Sequence, residues 1–154
     1  MWNSDTFDFD VALLRLAEPT NLTSIVLLGR EDATTLAQPG LIGLVSGWGL
    51  TKEGGEVSNI LRHVGVQIVA RADCSSDAAY DGAITDRMTC AGFVEGGKDS
   101  CEGDSGGPLM VPDGKGNFRL AGLVSWGEGC AHPGKYGVYT AVPIVADWIR
   151  NGLK

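Results

Sequence analysis

The residues best suited to chemistry lie in one stretch, 99–107, which reads Asp-Ser-Cys-Glu-Gly-Asp-Ser-Gly-Gly. A serine set between glycines sits readily on a sharp turn with its hydroxyl exposed, because glycine accepts backbone conformations closed to other residues. Glycines there also let a substrate carbonyl approach backbone N–H groups. Two such donors aimed at one oxygen form an oxyanion hole, and each contributes roughly 2.7–4 kcal/mol of transition-state stabilisation. The chemistry suggested is attack by the Ser105 hydroxyl on an acyl carbon. A lone Gly-x-Ser-Gly is more often a surface turn, but the full string Gly-Asp-Ser-Gly-Gly-Pro-Leu over 103–109 is far more specific.

Elements on either side must hold that loop. A chain of 154 residues suits one domain. Its hydrophobic fraction of 44% permits a buried core, and 23 glycines with few long helical patterns point to an all-β barrel or sandwich rich in tight turns. Residues 10–16 (Asp-Val-Ala-Leu-Leu-Arg-Leu) read as a buried strand and 17–40 as loop, broken at Pro19, Gly29, Pro39 and Gly40. Strands are predicted over 41–48, 61–69, 118–126 and 138–142, and a short helix within 71–79. Residues 51–58 read as a polar glycine-rich loop, and 95–107 as a loop under tight backbone demands. Residues 143–152 read as a helix with Ile144, Val145, Trp148 and Ile149 on one face, proline at its start and glycine near its end.

Other features narrow the function. A net charge of −7 argues against nucleic acid, whose phosphates attract lysine and arginine. No stretch reaches the ~20 apolar residues of a membrane helix. Met1 is followed by a segment with neither the basic flank nor the apolar run of a leader. The four cysteines, Cys74, Cys90, Cys101 and Cys130, show no Cys-x-x-Cys spacing. Two disulfides therefore fit better than zinc, which implies an oxidising compartment; spacing leaves all three pairings open. Asn21-Leu22-Thr23 is a glycosylation triplet of a kind common by chance.

The string at 103–109 resembles the nucleophile motif of the chymotrypsin/trypsin family. Asp-Phe-Asp-Val-Ala-Leu-Leu-Arg-Leu at 8–16 is similar to its strand carrying the triad aspartate. Val-Ser-Gly-Trp-Gly, Met-Thr-Cys-Ala-Gly-Phe, Val-Ser-Trp-Gly-Glu-Gly-Cys-Ala, Gly-Val-Tyr-Thr and the terminal Asp-Trp-Ile follow in the family's order. The resemblance implies an antiparallel β-barrel with a C-terminal helix, the second barrel of a two-barrel fold whose first barrel is mostly absent. It divides the chain into the last strand of the first barrel (1–20), the second barrel (35–142) and the helix (143–152).

The same resemblance implies residue roles. Ser105 would be the nucleophile, with the N–H groups of Gly103 and Ser105 as the oxyanion hole. Asp10, rather than nearby Asp8, would orient the catalytic imidazole, and Ser125 could hydrogen-bond it. Asp99 would form the base of a pocket for arginine or lysine, with Ser125, Trp126, Gly127 and Gly137 lining it. An uncompensated buried carboxylate is costly, which disfavours apolar side chains there. Glu102 at the rim would disfavour acidic substrates. Asp104 is the acid that pairs with a freed amino terminus in relatives, and unpaired it would leave the pocket poorly formed. Cys74 would pair with Cys90 and Cys101 with Cys130, contributing about 3 kcal/mol each in the chain-entropy treatment. A further family disulfide is missing at both Gly43 and Val111. Tyr136 stands where some relatives bind sodium, so Na⁺ is a candidate effector and no cofactor is required.

The family's order is His, Asp, Ser, yet nine residues precede Asp10. His63 and His132 both read as ordinary surface residues. The expectation is a truncated secreted endopeptidase, with Met1 an internal methionine, hydrolysing polypeptides after Arg or Lys in its full form and nearly inactive as this chain. Protein protease inhibitors are further expected partners; nucleic acid and membrane are not. A non-catalytic homologue acting as a secreted binding module is the alternative, and an unrelated disulfide-stapled structural domain a remote third.

Overall fold

A computed structural model describes residues 2–152; Met1, the expected internal methionine, lies outside the described residues. Among these, seven strands run in the order β1 (Val26–Leu27), β2 (Ile42–Gly47), β3 (Arg62–Val69), β4 (Met88–Ala91), β5 (Pro108–Pro112), β6 (Phe118–Trp126) and β7 (Gly137–Ala141). The helices are α1 (Arg30–Leu36), α2 (Arg71–Cys74) and α3 (Val142–Gly152). Strand neighbours run β6-β5-β2-β3-β4-β7, and β7 pairs back onto β6. Six antiparallel strands thus close into a barrel, which leaves those strands no free edge. The two-residue β1 adds to β6 in parallel.

Alternation builds the interior. Val66 and Ile68 of β3, Leu109 and Val111 of β5, and Ala121 and Val124 of β6 point inward and are buried. Tyr139 of β7 is fully buried among them. Gly43 belongs to this interior: a side chain there would meet Leu109 Cδ1 at 2.8 Å. Val111 is fully buried on the facing strand β5, so hydrophobic packing occupies this part of the barrel. α3 covers the barrel with Val142, Val145, Ala146 and Ile149, an i, i+3, i+4, i+7 stripe.

Several expectations are corrected. Residues 10–16 form no strand; Leu14 is 91% and Leu16 64% exposed. A strand needs a neighbour whose backbone pairs with its N–H and C=O groups, and no described strand pairs its backbone with this segment. Residues 2–20 accordingly form an irregular arm, with Leu13 resting on the end of α3 beside Gly152. Residues 17–40 are not all loop, since they contain β1 and α1. The buried face of α3 is turned from the one expected: Ile144 and Trp148 are partly exposed while Val142 and Ala146 are buried. Strands β4 and β5 were not foreseen as strands.

Candidate functional site

Asp10 is fixed from two strands of the barrel. Ser125 Oγ at the end of β6 donates to Asp10 Oδ2 at 2.6 Å, and Thr140 Oγ1 of β7 donates to the Asp10 carbonyl at 2.6 Å. The residues before it are pinned one by one. Phe7 stacks on Trp126 at 6.3 Å between ring centroids, and Phe9 meets Trp148 edge-on at 5.4 Å. Between them Asp8, weighed in the sequence as a rival to Asp10, faces elsewhere. It accepts from Thr85 Oγ1 at 2.7 Å and from Arg87 Nε at 3.0 Å on each oxygen. The Arg87 guanidinium holds its carboxyl below the usual range, against the opposing effect of burial. Phe7 and Phe9 have φ of 53° and 59°. Such left-handed conformations cost non-glycine residues of order 1–3 kcal/mol each and persist only where surroundings impose them.

The 99–107 loop enters β5 through Pro108. Gly103 and Gly106 have φ of 90° and 79°, as the tight turn requires. Ser105 is exposed at this turn. The N–H groups of Asp104 and Gly106 are used inside the barrel end, on Cys101 O and Val124 O. Those of Gly103 and Ser105 meet no acceptor among the described residues.

A cavity of about 230 Å³ opens beside this turn, lined by Ser105, Glu102, Asp99, Ser125, Trp126, Gly127 and Gly137 among others. Asp99 is partly buried, and its oxygens accept from Ser100 N at 2.8 Å and Ala131 N at 3.0 Å. Burial raises its carboxyl above the usual range, while the two N–H groups pull the other way. Gly137 is obligatory here, since a Cβ would lie 2.6 Å from Asp99 Oδ1. Gly127 is open, with nothing nearer than 3.8 Å. Trp126 forms one wall, flanked by Phe7 and by Tyr80 at 4.8 Å.

A second cavity, about 270 Å³, lies behind the first and is lined by Gly47, Gly49, His63, Lys98, Asp99 and Asp104 among others. Asp104 has no cation beside it among the described residues. Its oxygens accept from Gly49 N at 2.8 Å and Cys101 N at 3.0 Å. Glycine at 47 and 49 is what admits the carboxylate: a Cβ at either position would lie within 2.6 Å of it. The turn closes on Asp104 through these two bonds and through the bond from Asp104 N to Cys101 O at 3.0 Å. Cys101–Cys130 joins the walls of both cavities, and Cys74–Cys90 staples the end of α2 to β4.

Neither histidine lines the cavity that Ser105 borders. His63 is exposed on β3, opposite Ser46. His132 pairs with Glu53 on the exposed rim. Around Tyr136, its carbonyl accepts from Tyr80 OH at 2.6 Å, and the His132 carbonyl from Lys135 N at 3.1 Å. Lys135 reaches Ala79 O and Glu128, each at 2.7 Å, tying the Tyr80 segment to the cavity wall. Tyr80, Lys135, Asp8 and Thr140 were not singled out in the sequence for these contacts. Thr140 lies within the Gly-Val-Tyr-Thr motif, its only prior signal.

A family model described as Trypsin matches residues 1–149. The chain is 46% identical over 145 residues to "Transmembrane protease serine 11C" of Mus musculus and 45% identical over 145 residues to "Transmembrane protease serine 11E" of the same organism. Each alignment covers 94% of this chain and 34% of the relative. It is 46% identical over 150 residues to "Trypsin-1" of Astacus astacus, covering 95% of this chain and 60% of the relative. The chain thus spans about a third of the length of the first two relatives.

Proposed function

Because this chain belongs to the trypsin family of serine proteases, we propose that it supplies the nucleophile, oxyanion hole and specificity pocket of an endopeptidase that cleaves polypeptides after arginine or lysine. One observation carries the reading: a single cavity is lined by both the exposed Ser105 and the part-buried Asp99, with glycines for walls. A cationic side chain entering it would meet the Asp99 carboxylate. Its scissile carbonyl would lie at the Gly103–Ser105 turn, where two N–H groups are free to receive the developing oxyanion.

In this reading Ser105 Oγ attacks the acyl carbon and gives its proton to an imidazole. Asp10, held by Ser125 and Thr140, is the carboxylate that orients that ring. With no histidine on the cavity, the imidazole comes from outside residues 1–154. Removing the base of such a triad costs about 10⁶ in turnover, so the chain alone is nearly inactive. Asp104 would receive an amino terminus in the rear cavity. The two disulfides fit a secreted protein, whose partners would be polypeptide substrates and protein protease inhibitors. Residues 1–20 would complete a preceding barrel, with 35–142 and 143–152 as the second barrel and its helix.

Sodium remains a proposed effector beside Tyr136. The carbonyls of Ala131, His132 and Tyr136 each accept one hydrogen bond and keep a second lone pair, which suits a hard, oxygen-seeking cation. Replacing NaCl with choline chloride should lower the unfolding temperature; an unchanged value removes the effector. The alternative of a non-catalytic binding module is favoured by the lack of a cavity histidine. The joint presence of Ser105, Asp10 and Asp99 weighs against it.

The test is hydrolysis of an arginine ester by the purified chain beside a Ser105→Ala control. No Ser105-dependent turnover is expected, and adding a histidine-bearing N-terminal half should restore it. Robust Ser105-dependent turnover by the chain alone would refute the external base. Failure of the reconstituted protein would favour the binding module.

A further inference from the structure

We propose that Asn21 is a site of N-linked glycosylation. The sequence contains a single Asn-x-Ser/Thr triplet, Asn21-Leu22-Thr23. Chance produces such triplets often, so the argument rests on where this one sits. Every residue from 12 to 26 is exposed, and residues 12–25 belong to no helix or strand. The Asn21 amide and the Thr23 hydroxyl make no hydrogen bond among the described residues; the local bond runs from Leu22 N to Thr20 Oγ1 at 3.2 Å. Two other asparagines have side chains engaged in the fold. Asn3 Oδ1 accepts from Asp5 N and Thr6 N, and Asn117 Nδ2 donates to Asp113 Oδ2 at 3.5 Å. A large substituent on Asn21 therefore displaces no contact.

Four further observations agree. All four cysteines are paired, as in proteins that fold in the oxidising lumen where sugar transfer occurs. The arm carries exposed apolar side chains, Leu14 at 91% and Leu22 at 84%, beside which a bulky hydrophilic glycan is solubilising. No residue of 12–25 lines either cavity. The arm also rejoins the barrel at Val26 opposite Arg119, at the end of β6 remote from Ser125 and Trp126. A glycan on it leaves the Ser105 cavity open.

The donor is a polyprenyl-pyrophosphate-linked oligosaccharide. Asn21 Nδ2 forms a bond to the anomeric carbon as the bond from that carbon to the pyrophosphate oxygen breaks. Polyprenyl pyrophosphate leaves with the electron pair, and one amide proton is released. No oxidation occurs.

The experiment expresses the chain behind a secretion leader in cultured animal cells and pools cell-retained with secreted protein, because transfer precedes folding. Gel mobility is compared before and after peptide N-glycosidase, and the tryptic peptide holding residue 21 is weighed. The wild-type band should fall to the unmodified mass, with aspartate replacing Asn21 in the treated peptide. Asn21→Gln and Thr23→Val should show no shift, and Thr23→Ser should keep it. A wild-type chain translocated to the lumen without a shift overturns the proposal, as does a shift that survives Asn21→Gln. Neither Ser105 nor Asp99 enters the readout, so the outcome is independent of proteolysis.

Discussion

Gly137→Ala isolates the close approach that shapes the Asp99 cavity. The added methyl carbon would lie 2.6 Å from Asp99 Oδ1, 2.9 Å from Tyr139 OH and 3.1 Å from Tyr139 Cε2. Neither neighbour yields easily. Asp99 is tied by Ser100 N and Ala131 N, and Tyr139 is fully buried with its hydroxyl 3.3 Å from Ser100 Oγ. Overpacking of this kind costs roughly 1–3 kcal/mol. Swinging the carboxylate away to relieve it forfeits a charge-assisted hydrogen bond worth about 1.5–3 kcal/mol. The two costs are partly alternatives, so the net loss is about 2–4 kcal/mol, or roughly 6–12 °C in Tm for a chain of this length.

Gly127→Ala is the control. It lines the same cavity, yet its new methyl meets nothing nearer than 3.8 Å. Its Tm should therefore move by no more than about 2 °C, since an uncrowded substitution stays within about 0.5 kcal/mol. Both variants should weaken an arylamidine, a cation shaped for a narrow acidic slot, as read by titration calorimetry. Gly137→Ala with wild-type Tm and wild-type affinity would refute the geometry around Asp99.

Three further outcomes are expected. Replacing Cys101 and Cys130 together with alanine opens a loop of 29 residues, a loss of about 3.6 kcal/mol in the chain-entropy treatment; it should also abolish arylamidine binding, whereas the Cys74/Cys90 double variant should lose stability but keep affinity. Arylamidine binding needs ionised Asp99, whose carboxyl is raised by burial; affinity should begin to fall while pH is still above the usual carboxylate value of about 3.9, and then drop about tenfold per pH unit. Asp8 is lowered chiefly by Arg87, so its stabilisation is complete above about pH 4 and disappears as pH falls through the lowered folded value; Tm curves of wild type and Asp8→Asn should lie apart at neutral pH and converge in acid, and parallel curves would sink the assignment.

What could be read in advance followed how local the signal was. Strands β2, β3, β6 and β7 announce themselves by runs of alternating or continuous apolar residues, and α3 by its proline start and apolar stripe. Strand β4 has four residues, too few to show a period, and β5 begins and ends on proline, which argues against a strand in a sequence window. Helix α1, Arg-Glu-Asp-Ala-Thr-Thr-Leu, buries no residue and carries no side-chain cap, so neither periodicity nor capping marks it. Residues 10–16 failed in the opposite direction. Their apolar run looks like a buried strand, but strand formation depends on a partner that a sequence window does not contain. The site was legible as residue types around Ser105. Its assembly was not, because Ser125 and Asp10 stand 115 positions apart and the Asp8 clamp joins residues 77 and 79 apart.

The two cavities share a partition. Asp99, Ser100, Cys101 and Cys130 border both, so one thin septum, cross-linked by the Cys101–Cys130 bridge, separates the chamber facing Ser105 from the chamber facing Asp104. A guest in the rear chamber that braces the septum holds Asp99 in place for a guest in front. Linkage then requires reciprocity: whatever factor the rear guest adds to the front guest's affinity, the front guest returns. Under the roles proposed for Asp99 and Asp104, an arylamidine in front should tighten the rear chamber's hold on a short peptide amine by the same factor that the amine tightens its own.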